Sequence, residues 1–140
     1  MDSVGIGMIG SGFMGITYSE SVANHTEGCH LVAIAGGTRA PALAADYQVP
    51  AEPDVDALLA RDDIDAVVLA TPDQDRPELT RKAAAAGKHV LAEKPMAPTI
   101  AECDEMITAC EAAGVNLAVV KTERYRKITM KAKALIDDGV

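Results

Sequence analysis

Two short stretches of the sequence set residue types at a spacing that can do chemistry. Gly10-Ser11-Gly12-Phe13-Met14-Gly15 has the G-x-G-x-x-G spacing of loops whose backbone amides close on a phosphate. Glycine is common and turns need it, so the string alone serves equally as three glycines in a turn. Glu93-Lys94-Pro95 sets an ammonium beside a carboxylate and ahead of a proline; taken alone, such a lysine is a surface charge. Other reactive residues are dispersed. Cys29, Cys103 and Cys110 lack metal-type spacing and read as reduced, buried thiols in a cytoplasmic protein. His25, His30 and His89 lie outside any H-x-x-x-H or C-x-x-C arrangement, so no metal site is expected.

The value of both stretches depends on the elements that hold them. Val4 to Ile9 is a short apolar run ending at Gly10, as a buried strand requires. Met14 to about Glu27 is helix-compatible. Leu31 to Ala35 is a second strand closed by Gly36-Gly37, and Pro41 to Tyr47 and Val55 to Ala60 are short helices. Ala66 to Ala70 is a third strand halted by Thr71-Pro72, Pro77 to Ala86 a helix stopped by Gly87, and His89 to Ala92 a fourth strand. Thr99, with Glu102 three positions on, forms a capping box for a helix running to Ala113, with Gly114 as its stop. Asn116 to Val120 is a fifth strand and Ile128 to Asp137 a final helix. The Ala83–Ala86 tetrad lets its helix sit close to a sheet. Apolar strands alternating with helices specify one α/β domain with a doubly wound parallel sheet, a three-layer Rossmann fold. Ligands bind such sheets beyond the C-terminal strand ends.

In that frame the glycine string follows strand one and opens helix one. Gly10 permits the tight turn, Gly12 lets backbone approach a pyrophosphate, and Gly15 allows close helix–strand packing. The first helical amides, at Phe13 and Met14, and the helix dipole favour an anion. Enzymes using S-adenosylmethionine carry a similar loop, but they and NAD-specific domains usually place an acid near the end of strand two. No acid stands between Gly28 and Pro41. Gly36 and Gly37 instead leave room, Thr38 can donate a hydrogen bond, and Arg39 supplies charge for a ribose 2′-phosphate. NADP is therefore expected over NAD, with NAD possible; Arg39 as an ordinary exposed helix-start residue is the alternative.

A formal net charge of −8 argues against nucleic acid as a partner. No apolar run approaches the roughly 20 residues that span a bilayer, and the N-terminal stretch, with Asp2 and no basic residue, lacks the form of a signal peptide. A cytoplasmic protein without membrane contact is expected. The charge is uneven: Lys121 to Lys133 holds six basic residues and one acid. That run reads as a solvated helix face or as a surface meeting an anionic cofactor or a neighbour.

Asp63-Ile64-Asp65-Ala66-Val67-Val68-Leu69-Ala70-Thr71-Pro72 leads into Ala86-Gly87-Lys88-His89-Val90-Leu91-Ala92-Glu93-Lys94-Pro95-Met96-Ala97. With the glycine loop, these segments closely resemble the glucose–fructose oxidoreductase, inositol dehydrogenase and MocA (Gfo/Idh/MocA) family across essentially the whole chain. The resemblance implies hydride transfer between a nicotinamide cofactor and a carbinol of a sugar, cyclitol or related polyol. It maps the family's E-K-P motif onto Glu93, Lys94 and Pro95, making Lys94 the catalytic candidate near nicotinamide and substrate, with a Lys–Pro bond that is often cis. An ammonium there can orient the substrate oxygen and stabilise a developing alkoxide. Thr71 and Pro72 map onto the loop passing along the cofactor.

Asp73 and Arg76 stand where many members have Asn and His. Lys121-Thr122-Glu123-Arg124-Tyr125-Arg126 replaces a common pattern after strand five, leaving Lys121 and Tyr125 as cleft candidates. The resemblance also implies a second α/β domain supplying further acid–base residues, much of the substrate pocket and a homo-oligomer interface. The sequence stops at Val140, where that domain is expected to begin, as an isolated cofactor domain or a truncated protein would. Two functions follow: the cofactor domain of a dehydrogenase with little activity alone, or a non-catalytic dinucleotide-binding or sensing module.

Overall fold

The computed structural model describes residues 3–139; expectations resting on Asp2 or Val140 lie outside the described residues. The apolar runs become β1 (Val4–Ile9), β2 (Cys29–Ala35), β3 (Ala66–Leu69), β4 (His89–Ala92) and β5 (Leu117–Val119). They form one parallel sheet in the order β2-β1-β3-β4-β5. Successive strand residues point to opposite faces, and both faces are apolar. Ile9, Val67 and Leu69 join one core with Leu58, Ala83 and Met106. Met8 and Val68 join the other with Leu31, Ile34 and Leu43.

Helices cover the two faces as the sequence requires. On one side lie α1 (Phe13–Asn24) and α2 (Ala40–Asp46); on the other are α3 (Val55–Leu59), α4 (Arg76–Ala85) and α5 (Ile100–Ala113). The last, α6 (Lys127–Asp137), buries none of its side chains. The α5 start is the expected capping box: Thr99 Oγ1 accepts from Glu102 N–H at 3.2 Å, and the Glu102 carboxylate accepts from Thr99 N–H at 3.0 Å. Gly114 closes α5 in the left-handed region at φ 69°. Within the alanine tetrad, Ala83 and Ala84 pack in the core, and the helix ends before Ala86.

Three expectations need correction. Helix α1 ends at Asn24 rather than near Glu27, because the Thr26 hydroxyl takes the Ser21 carbonyl at 3.0 Å and the chain turns into β2. That strand starts two residues early, at Cys29, where it pairs with Val4. Among the cysteines only Cys110 is buried, and burial pushes its thiol pKa up; Cys29 and Cys103 are half-buried. A further feature has little sequence signal. Ala51 makes one parallel bridge to Ile34, outside β2. This single bridge occupies the position of a whole strand in a sheet of Rossmann order 3-2-1-4-5-6.

Candidate functional site

The order of the sheet reverses between β1 and β3, the switch point at which a doubly wound sheet opens a crevice beyond its strand ends. Gly10 leaves β1 at φ 110°, and a Cβ there would stand 2.6 Å from the Ala70 carbonyl oxygen, so the loops after β1 and β3 meet at backbone distance. A Cβ at Gly15 would lie 2.0 Å from the Gly10 carbonyl oxygen, which is how α1 sits against the strand end. Gly12 differs from both. Its φ is −76°, open to any residue, and a Cβ there would meet nothing within 4 Å. Neither backbone nor packing within the chain calls for glycine at Gly12; the space kept clear lies outside the protein.

That space belongs to a cleft of about 650 Å³ lined by Gly10, Gly12, Gly37, Thr71 and Pro72, with Val55 and Leu79 among its apolar walls. The first helical bond of α1 runs from Ile16 N–H to the Gly12 carbonyl at 3.0 Å. Phe13 and Met14 therefore carry amides without a helical acceptor, and the first turn has neither a side-chain cap nor an acid. The Thr71 hydroxyl is buried without a partner, a state native proteins seldom leave unexplained. Free amides, a cleared glycine and an orphaned hydroxyl fit an anionic, hydrogen-bonding ligand such as a dinucleotide. Phe13 itself is exposed and Met14 half-buried. Gly36 and Gly37 have φ 81° and 80°, and a Cβ on Gly37 would stand 2.4 Å from Ser11 Oγ. Both glycines are thus demanded by the turn itself, whatever they leave open for a ligand. Thr38 and Arg39 follow on the exposed rim, outside the cleft lining.

The second motif is held from beneath. Glu93 is 4 % exposed, and its carboxylate accepts a short hydrogen bond from the Tyr18 hydroxyl of α1. Burial and that bond raise the Tyr18 pKa far above the usual phenol value, so the hydroxyl stays a donor. Arg76 is 5 % exposed and donates to three main-chain carbonyls: Thr71, Glu93 (2.9 Å) and Pro95. One guanidinium thus ties the loop after β3 to the loop after β4, on both sides of Lys94. The Lys94–Pro95 bond is cis. Lys94 is exposed and lines a second cavity of about 360 Å³ with Lys121, Thr122 and Arg124. The two cavities share no lining residue. Lys121 therefore stands beside Lys94, whereas Tyr125 is 74 % exposed and lines neither.

Tyr18 and Arg76 carry the site and were not legible as its residues. Arg76 had one visible signal. A cation in the first turn of a helix opposes the helix dipole, so its presence there asks for another partner. Replacing Arg76 with methionine leaves three carbonyls without their donor and is expected to destabilise the fold by about 3 kcal/mol or more. Equilibrium denaturation measures it; an unchanged midpoint would show that the clamp contributes nothing.

The oxidoreductase family model described as having an NAD-binding Rossmann fold matches residues 4–121. Over 140 residues the chain is 33 % identical to 2,7-anhydro-N-acetylneuraminate hydratase of Mediterraneibacter gnavus, covering all of this chain and 37 % of that protein. It is 34 % identical over 119 residues to inositol 2-dehydrogenase 1 of Saccharopolyspora erythraea, covering 82 % of this chain and 35 % of that one. The crystal structure of the WlbA dehydrogenase from Bordetella pertussis, in complex with NADH and UDP-GlcNAcA, superposes with a TM-score of 0.92 at 32 % identity, over 99 % of this chain and 42 % of that one. The chain spans a little over a third of the length of these curated relatives. Among the described residues, no helix is long and apolar enough to cross a membrane. From the glycine loop through the Glu93-Lys94-Pro95 loop, the chain belongs to the Gfo/Idh/MocA oxidoreductase family, as its NAD-binding Rossmann domain.

Proposed function

We propose that this domain holds NADP for an oxidoreductase that transfers hydride to or from a sugar, cyclitol or related polyol. The observation that carries the proposal is Gly12, a glycine required by nothing inside the chain and facing the cleft at a helix start. The amides of Phe13 and Met14 bind the pyrophosphate, Gly10 and Gly15 keep the loop against the sheet, and Thr71 and Pro72 pass along the cofactor. When bound, the nicotinamide supplies or accepts the hydride. Lys94, anchored through Glu93 and Pro95, orients the substrate hydroxyl and offsets charge developing on its oxygen. The cavity lining beside Lys94 holds no histidine, and its one carboxylate, Glu123, is paired with Arg126 at 3.1 Å.

The preference for NADP rests on the acid-free stretch from Gly28 to Pro41 and on Arg39, which has no ion-pair partner among the described residues. A charge-assisted bond of about 1.5–3 kcal/mol corresponds to roughly 10- to 150-fold in affinity. Titration by NADPH and NADH fluorescence is expected to show tighter NADPH binding by that order, lost in Arg39→Ala. Tighter NADH binding would overturn the preference and leave dinucleotide binding standing. A second role is a nucleotide-sensing module without turnover, favoured because the one carboxylate lining that cavity, Glu123, is already paired with Arg126. Polyol-dependent NADPH production by the complete protein excludes it.

A further inference from the structure

The cavity beside Lys94 opens at the start of the basic run of this otherwise acidic chain. Lys94, Lys121 and Arg124 line it, and none of the three has an ion-pair or side-chain hydrogen-bond partner among the described residues. The single acid in the lining, Glu123, is engaged at 3.1 Å by Arg126, which stands outside it. The net −8 charge of the chain makes such a gathering of cations a local exception. Like charges held around one cavity repel one another, and an anion placed among them removes that repulsion. The cofactor's phosphates have their own place at the Gly10–Gly12 loop, in a cleft that shares no lining residue with this cavity.

Resting on the dehydrogenase proposal above, we infer that the substrate is an anionic sugar or cyclitol. It bears a carboxylate or phosphate that Lys121 and Arg124 hold while Lys94 meets the reacting hydroxyl. Arg124 offers the planar fork that suits either oxyanion, and Lys121 a mobile point charge. The cluster also concentrates anions at the cavity in a manner that salt weakens.

The test is equilibrium binding of D-glucuronate, D-glucose 6-phosphate and neutral D-glucose to the complete protein, with and without saturating NADPH, by calorimetry. One of the two anions is expected to bind at least about ten-fold tighter than glucose, the factor one charge-assisted bond supplies. Which anion does so identifies carboxylate or phosphate. The advantage is expected to shrink with added sodium chloride and to disappear in Lys121→Gln and Arg124→Gln, with the NADPH Kd unchanged. Equal or tighter glucose binding, or no binding of either anion, overturns the inference. So does a rise in NADPH Kd in the two variants that matches the loss of anion binding, which would assign the cations to the cofactor. Absence of NADPH binding in the unmutated protein would instead remove the dehydrogenase proposal itself, and the titration without cofactor reads that outcome separately. Both variants replace exposed side chains, so folding is retained; a thermal melt verifies it.

Discussion

Lys94→Met is expected to lower kcat of the proposed dehydrogenase by about 10²–10⁴-fold, the range spanned by a positioned acid–base group, while the NADPH Kd stays unchanged. The separation follows from where Lys94 sits. Its neighbours do the structural work: Glu93 is buried under Tyr18, and the carbonyls on either side of Lys94 are taken by Arg76. The Lys94 side chain is exposed at a cavity distinct from the glycine-lined cleft. Removing its ammonium therefore leaves the fold and the glycine-lined cleft intact, within the roughly 0.5 kcal/mol usual for surface changes. Steady-state kinetics alongside a fluorescence titration and a thermal melt give all three quantities. A kcat that survives the substitution would place the chemistry on another residue. Lys94→Arg keeps the charge but not the compact ammonium and is expected to recover little.

The second large effect separates two glycines that the motif treats alike. Gly15→Ala drives a methyl to 2.0 Å from the Gly10 carbonyl oxygen, and neither partner is a flexible side chain that can move aside. A loss of about 3 kcal/mol or more is expected, a fall in Tm of about 10 °C for a domain of this size. Gly12→Ala meets nothing within 4 Å, so the fold should lose only about 1 kcal/mol or less, since alanine caps a helix less well than glycine. Its cost falls on the ligand. A methyl in the path of a close backbone contact costs about 1–3 kcal/mol, raising the dinucleotide Kd by roughly 5- to 150-fold. Melting curves and NADPH titrations of the two variants form a crossed pair. Unimpaired NADPH binding by Gly12→Ala would remove the central support for a phosphate cradle at that loop.

The strands were legible because continuous apolar runs bounded by glycine and proline have one compact solution, a parallel sheet buried on both faces. The capping box at Thr99 and Glu102 and the stop at Gly114 were legible for the same local reason: their hydrogen bonds close within a few residues. The single bridge at Ala51 was not, since one residue has no periodicity to read. Nor was the site's foundation. Tyr18 and Glu93 are 75 residues apart in the chain, and Arg76 reaches carbonyls 17 and 19 residues ahead.

What the sequence determined by itself was the order of alternating strands and helices, the glycine loop at the first turn, and the family to which both motifs point. Those properties are local, set by side-chain type and spacing over a few residues. Tertiary structure decided which glycines the fold itself requires and which it leaves free, because only the folded chain shows what a Cβ would strike. It also decided that Arg76, on sequence only a departure from a pattern, joins the loop after β3 to the loop bearing Lys94. And it gathered Lys121 and Arg124 beside Lys94, turning an uneven charge distribution into a cavity of definite sign. Each of these depends on groups distant along the chain meeting at one sheet edge, which residue spacing does not encode.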